Sequence, residues 1–128
     1  MSKSLAAVAV SLLSLTPGCS KPREVAYKDL SWEKDLYTLD GKPFTGVGLE
    51  AFKDGKPKSR WEIKDGMLHG VVREWHDNGQ LMVETHYADN KRHGLNRYWS
   101  KEGQLFKEQV YEHGNSVSVK EYPVDKKP

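Results

Sequence analysis

From Gly46 onward, apolar and polar side chains alternate in short runs broken by glycine. Between Gly70 and His76, Val71, Arg73 and Trp75 occupy one side of an extended strand, and Val72, Glu74 and His76 the other. Asp77-Asn78-Gly79 then supplies a turn: Asp and Asn favour turn starts, and Gly accepts the positive φ that closes a three-residue loop. The return strand from Leu81 to Tyr87 places Leu81, Val83, Thr85 and Tyr87 on one face. The pattern therefore predicts a β-hairpin in which Trp75 faces Leu81, Arg73 faces Val83 and Val71 faces Thr85. Cross-strand pairs of aromatic and aliphatic residues contribute about 0.2–1 kcal/mol each. A helix fits poorly, because the recurrent glycines leave no room for two clean turns and the alternation has period two.

The hairpin is repeated. Gly46, Gly70 and Gly94 recur every 24 residues, and Gly55, Gly79 and Gly103 follow each of them at the same distance. Trp75 and Trp99 share one slot, which Ala51 fills in the first copy. Pro57, Leu81 and Leu105 share a second, and Ile63, Tyr87 and Tyr111 a third. Three copies follow, over about 46–69, 70–93 and 94–117. A lone hairpin is marginal in water, so the copies must stack side by side. Trp75, Trp99, Tyr87, Tyr111, Leu81 and Leu105 are then expected to form an apolar ladder across one face, beside Trp61.

Outside the copies, Leu36–Leu39, a turn at Asp40-Gly41-Lys42-Pro43 and Phe44 read as a leading hairpin, and Val117 to Tyr122 as a last strand. The repeat domain is expected over 36–122, with a lipid-attached tether and lead-in over 19–35. Residues 123–128 form a loose, charged, proline-bounded tail.

The N-terminus reads differently. Lys3 is the only charge among the first twenty residues, and an apolar run from Leu5 to Leu15 follows it. At about 1.5 Å per residue that run covers roughly half of a bilayer core. A basic start, a short apolar middle and small residues near a cut make 1–18 a signal peptide, helical or disordered. The single cysteine follows directly, at Gly18-Cys19. This resembles a bacterial lipoprotein signal, which implies that Cys19 carries lipid and begins the mature chain. Ser20 stands where an Asp would retain the protein at the inner membrane, so the periplasmic face of the outer membrane is the expected location.

Composition narrows the function. Only 37% of residues are hydrophobic, which suits a thin, well-solvated layer rather than a thick core. Four Trp argue against disorder, since disordered chains are poor in aromatics. Of 20 Lys and Arg, Lys3 leaves with the signal, so basic residues then balance 18 acidic ones. Nucleic acid needs a basic face to neutralise phosphates, and none is indicated. One cysteine rules out a disulfide within the chain and a cysteine metal cluster.

The run Asp65-Gly66-Met67-Leu68-His69-Gly70, Trp75, Asn78-Gly79-Gln80-Leu81 and Tyr87 resembles the MORN repeat variant. It recurs as His93-Gly94, Trp99, Glu102-Gly103-Gln104-Leu105 and Tyr111. Proteins of this kind, including the group labelled YwqK-type antitoxins, are similar to this chain from about Leu36 to Gly114. The resemblance implies an all-β fold, a single-layer antiparallel β-meander of tandem hairpins, with no cofactor and no established active site. The antitoxin label implies binding and neutralising a toxin.

The residues point the same way. His69 and His93 are equivalent positions two strands apart, about 9–10 Å, too far to share one zinc at ~2.0–2.1 Å. His76, His86 and His113 are expected at the surface. Glu50 and Glu74 recur at one repeat position and Glu84 and Glu108 at another, as a charged outer face requires; a catalytic pair breaks a repeat. No metal site, small-molecule substrate or enzymatic activity is expected. The expected role is protein binding through Trp61, Trp75, Trp99, Tyr87 and Tyr111, with the membrane reached through Cys19. The alternatives are an antitoxin or immunity protein and a structural protein attached to membrane or cell-wall polymer.

Overall fold

The computed structural model describes residues 20–125, and all of their regular structure is β apart from one turn of 3-10 helix. Strands β5 (Gly46–Ala51) and β6 (Pro57–Lys64) form the first hairpin, and β7 (Met67–Trp75) and β8 (Leu81–Ala88) the second. The third comprises β10 (Gly94–Trp99) and β11 (Leu105–Glu112), followed by the last strand, β12 (Asn115–Glu121). They lie side by side in the order β5-β6-β7-β8-β10-β11-β12, all antiparallel. The two-residue strand β9 (Lys91–Arg92) folds back on the end of β8. This is the meander of 24-residue hairpins that the alternation and the glycine spacing predict.

Two kinds of turn alternate along it. At one end, Asp65-Gly66, Asp89-Asn90 and His113-Gly114 each hold two successive residues at positive φ. That geometry matches the twist of the flanking strands, so each is a tight two-residue turn. At the other end, His76 N–H donates to the Gln80 carbonyl at 2.8 Å and Gly79 N–H to the His76 carbonyl at 3.0 Å. The same two bonds recur at Ser100 and Gln104 and at Gly103. Repeats are also stitched to one another: Gly66, Asn90 and Gly114 N–H donate to the carbonyls of Phe44, Leu68 and Arg92 at 2.8, 3.0 and 2.8 Å.

The glycines divide into two sets. Gly55, Gly79 and Gly103 sit in the loops, whereas Gly46, Gly70 and Gly94 begin or interrupt strands. Gly70 has φ 109°, and a Cβ there would come within 2.2 Å of Glu62 Oε2. Beside it the β6–β7 register slips, from Ile63 opposite Leu68 to Trp61 opposite Val72.

The N-terminal residues are more structured than a tether. Glu24–Ala26 form β1, which runs parallel to β5 with Val25 opposite Gly48. A 3-10 turn, Tyr27–Asp29, leads into β2 (Ser31–Glu33), β3 (Leu36–Leu39) and β4 (Lys42–Pro43), a separate three-stranded sheet. That unit lies against the first half of the meander. Phe44, Ile63, Leu68 and Val72 form the buried core, with Val25, Leu30, Tyr37, Leu39, Trp61 and Tyr87 packed on it. Gly48 lets the layers meet: a Cβ there would touch Leu30 and Tyr27 at 3.2 and 3.3 Å.

Along the repeats this covered face turns polar. The Trp61 position becomes Thr85 and then Gln109, the Leu68 position Arg92 and then Ser116, and Val72 becomes Asn96. Asn96 is fully buried; its Oδ1 accepts from His86 N–H at 3.3 Å, and its Nδ2 has no partner. The apolar core therefore occupies only the part of the meander that the N-terminal unit covers.

Gly70→Ala should cost more than Gly79→Ala. Both force a Cβ into positive φ, about 1–2 kcal/mol, but only at Gly70 does the new atom collide with Glu62, since nothing lies within 4 Å of the Gly79 site. Urea titration followed by Trp fluorescence should give a lower midpoint for Gly70→Ala; equal midpoints would contradict the close approach.

Candidate functional site

The alternation along β7 is unbroken through its pairing with β8, so Val71, Arg73 and Trp75 share a face opposite Gly70, Val72 and Glu74. Trp75 pairs with Leu81 as the sequence predicts, but the next pair is Glu74 with Val83, leaving Met82 as an extra residue. Such a bulge sets two residues of one strand against one of the other and inverts the alternation beyond it. Arg73 consequently faces Glu84 rather than Val83, and Val72 rather than Val71 faces Thr85. Phe106 is the extra residue one repeat later, where Trp99 pairs with Leu105 and Tyr98 with Lys107.

The expected aromatic ladder is thereby split between two faces. Trp61, Tyr87 and Tyr111 lie on the covered face. Trp61 stacks on Tyr27 with centroids 4.8 Å apart and donates its Nε1–H to Ser59 Oγ at 2.7 Å. Tyr87 packs on the core, and Tyr111 is buried with the Arg92 guanidinium 5.3 Å above its ring. These three are spent on the interior. Trp75 and Trp99 lie on the opposite face, and no member of the core cluster comes from that face. Leu81 and Leu105 stay with them, each paired to its tryptophan across the loop end of the hairpin.

That second face is built of three cross-strand rows over β7, β8, β10 and β11. The middle row is Arg73, Glu84, Arg97 and Glu108, each in register with the next, and it continues to Arg60 on β6 and Lys120 on β12. Arg73 Nε donates to Glu84 Oε2 at 3.0 Å, and Arg97 Nε to Glu108 Oε2 at 3.1 Å. One flanking row runs through Trp75, Met82, Trp99 and Phe106, with Phe106 36% exposed. The other contains Val71, His86, Leu95 and Val110. The bulges create this arrangement, and sequence alternation alone does not reveal it. The signal available was the recurrence of Arg73 and Arg97, and of Glu84 and Glu108, at the repeat period.

Two carboxylates of this face are held below the usual carboxylate range. Glu108 accepts the Tyr122 hydroxyl hydrogen bond, the largest contribution, and the Arg97 pair adds to it. For Glu62 burial pulls the other way, but the Val71 N–H at 2.8 Å and Arg60 at 2.5 Å outweigh it. These are stabilised anions, without the raised carboxyl a general acid needs.

The histidines are scattered. His76 Nε2 lies 2.9 Å from the Trp99 carbonyl, His86 Nδ1 2.5 Å from that of Leu95, and His69 Nδ1 3.5 Å from Asp89. The His93 and His113 rings stand 5.1 Å apart, where His113 N–H donates to His93 Nδ1 at 3.3 Å. Among the described residues no group of three or more His, Cys, Asp or Glu is placed to hold a metal ion. A cleft of about 990 Å³ opens beside Leu49, Ala51, Pro57, Arg60 and Trp75 at the β1–β5 edge. Cys19 and residues 1–18, expected to be a signal peptide, lie outside the described residues, as do residues 126–128 of the expected tail. No described helix is long and apolar enough to cross a membrane.

The stretch from Leu68 on β7 to Asp89 in the turn after β8 matches the family model of the MORN repeat variant. The match covers the middle hairpin, the copy whose turn and aromatic positions all fit. MORN repeats commonly serve as modules that bind proteins or membranes. No curated protein and no solved structure matches the chain.

Removing the Glu62 carboxylate should weaken the fold at neutral pH and flatten its acid limb. A carboxyl held below its unfolded pKa adds stability that is full above the unfolded value and is lost as pH falls through the folded one. Glu62→Ala leaves the Val71 N–H unpaired, about 1 kcal/mol, at the low end because the Glu62 side chain is 32% exposed. Thermal melts from pH 7 into the acid range should show the gap between wild type and variant narrowing; a constant gap would refute the assignment.

Proposed function

We propose that the protein is a non-enzymatic bacterial envelope lipoprotein whose repeat sheet binds a protein partner. The observation that carries this reading is the second face of the meander. Trp75 and Trp99 stand there beside a row of alternating arginine and glutamate, while the three-stranded unit covers the other face. Trp75 and Trp99 are half-buried and Phe106 is exposed, and apolar side chains left open to solvent beside polar groups mark contact sites. Trp and Arg are also the residues that dominate the energy of protein contacts. The MORN match to the middle hairpin supports a binding role of the same general kind.

In this reading Cys19 carries the lipid, Ser20 directs the chain to the periplasmic face of the outer membrane, and residues 20–23 link the lipid to β1. A secreted toxin masked by the Trp75–Trp99 face is the special case that the likeness to YwqK-type antitoxins supplies. It would be recognised by a neighbouring toxic gene product whose lethality disappears on co-expression.

Crosslinking in intact cells followed by detergent extraction should recover a partner with the wild-type chain. Trp75→Ala combined with Trp99→Ala should reduce that recovery to background while leaving the far-UV spectrum unchanged, because neither ring belongs to the core. Undiminished recovery would rule out this face as the contact. In the same cells, labelled palmitate should enter the wild-type chain and not Cys19→Ala; equal labelling would overturn the lipoprotein assignment.

A further inference from the structure

Strand β12 stands at one end of the sheet. It pairs with β11 on one side, and among the described residues no strand lies on the other. At the opposite end the edge of β5 is covered by β1. All seven residues of β12 are exposed, Val117 by 52% and Val119 by 53%. Counting 24 residues on from Gly94 reaches Ser118, so β12 lies where the repeat places a strand like β10. Beyond β10 comes β11; beyond β12 the corresponding place is open.

The edge presents a defined set of backbone groups. Tyr122 N–H donates to the Phe106 carbonyl at 2.8 Å. Backbone groups alternate in direction along a strand, so Lys120 and Ser118 also turn theirs towards β11, while Val119 and Glu121 turn theirs outward. The register with β11 is regular over Ser118 to Glu121, which keeps that alternation. An antiparallel strand added outside bonds to Val119 and Glu121. It sets one residue directly beside Lys120 in a non-hydrogen-bonded pair, where side chains come closest.

Lys120 calls for a carboxylate at that place. It ends the charged row, after Arg73, Glu84, Arg97 and Glu108. Both oxygens of Glu108 are already engaged, Oε2 by Arg97 and Oε1 by the Tyr122 hydroxyl. Among the described residues Lys120 Nζ makes no salt bridge, and it lies 4.8 Å over the Tyr122 ring. Strands β8 and β11 each set a glutamate beside an arginine of this row; a strand outside β12 that brings a carboxylate extends the alternation. A lysine on an edge strand also deters strands that bring no counter-charge. The β12 strand of a second copy does not fit. Two such strands related by a two-fold axis pair like face with like face, and the residues of β12 on this face are Asn115, Ser118 and Lys120, none of them acidic.

From these observations we propose that the outer edge of β12 receives an extended strand of a partner protein, paired antiparallel, with a carboxylate side chain set beside Lys120. Strand addition of this kind draws affinity from main-chain hydrogen bonds and specificity from the alternate side chains of the added strand. Val119 and Glu121 face the other way and suit an uncharged and a basic neighbour, as Gln109 and Lys107 supply on the inner side. The contact lies at the end of the sheet and does not rest on the Trp75–Trp99 face.

A peptide with the sequence of β11, Leu105–Glu112, serves as the probe, because it carries lysine, glutamate and glutamine in the required order. Added to the isotope-labelled full-length chain in mild detergent, it should shift the amide resonances of β12 and slow hydrogen exchange at Val119 and Glu121. The same peptide with Glu108→Lys should bind about fivefold more weakly, since like charges then meet. In the protein, Val119→Pro removes an outward N–H and no bond to β11, so peptide binding should be lost while circular dichroism is unchanged. The Trp75→Ala, Trp99→Ala chain should bind the peptide as wild type does. No shift with millimolar peptide overturns the proposal. So do shifts confined to another strand, equal binding of the Glu108→Lys peptide, or undiminished binding by Val119→Pro. Should Val119→Pro not fold, Lys120→Ala decides: the preference for glutamate over lysine in the peptide must vanish, and a retained preference sinks the idea. Slow exchange at Val119 and Glu121 that grows with protein concentration before any peptide is added would make the occupant a second copy and refute the partner strand. Loss of binding in the Trp75→Ala, Trp99→Ala chain would move the contact to the sheet face and refute it as well.

Discussion

The fold depends on a backbone hydrogen bond that recurs with the repeat. Gly66, Asn90 and Gly114, each the second residue of a left-handed turn, donate their N–H to a carbonyl 22 residues earlier, on Phe44, Leu68 and Arg92. The bond forms only if two successive residues hold positive φ, which explains why Asp-Gly, Asp-Asn and His-Gly fill these turns. It fixes each hairpin against the last without any side-chain core. A chain only 37% hydrophobic needs this, because its apolar cluster stops after the second hairpin. Asn90 reinforces the most central of the three, since its Oδ1 also accepts the Leu68 N–H at 2.7 Å.

A sheet held mainly by its backbone frees its two faces to diverge. One face supports an N-terminal layer and loses apolar character with distance from it, from Trp61 to Thr85 to Gln109. The other keeps Arg73 and Arg97, and Glu84 and Glu108, in the second and third repeats, where the first has Leu49 and Arg60. The ion-paired row therefore extends into the part of the sheet that the N-terminal layer does not back.

Much of this was legible in the chain itself. The 24-residue period, the hairpins, the loop glycines and the pairing of Trp75 with Leu81 all follow from local alternation and turn chemistry, which act over a few residues. What alternation could not supply was the face of each side chain beyond the bulge. Met82 and Phe106 look like ordinary strand residues, yet each adds one position and inverts every side chain after it. The predicted ladder of Trp75, Trp99, Tyr87 and Tyr111 fell on two faces for that reason alone. Strand β1 was illegible for a different reason. Three residues carry no period, and the parallel partner at Val47–Leu49 lies far along the chain.

The bulges also explain why the open face carries charge at its centre rather than a continuous apolar strip. Without the extra residue, Arg73 would oppose Val83 and Arg97 would oppose Lys107, so neither arginine would meet a carboxylate across its hairpin. With it, each arginine meets a glutamate across the strand, and the tryptophans move to the loop side with Met82 and Phe106. An uninterrupted apolar strip of this length would invite indiscriminate association. A strip divided by alternating charges accepts only a surface whose charges alternate in the opposite phase, since a misplaced partner brings like charges together.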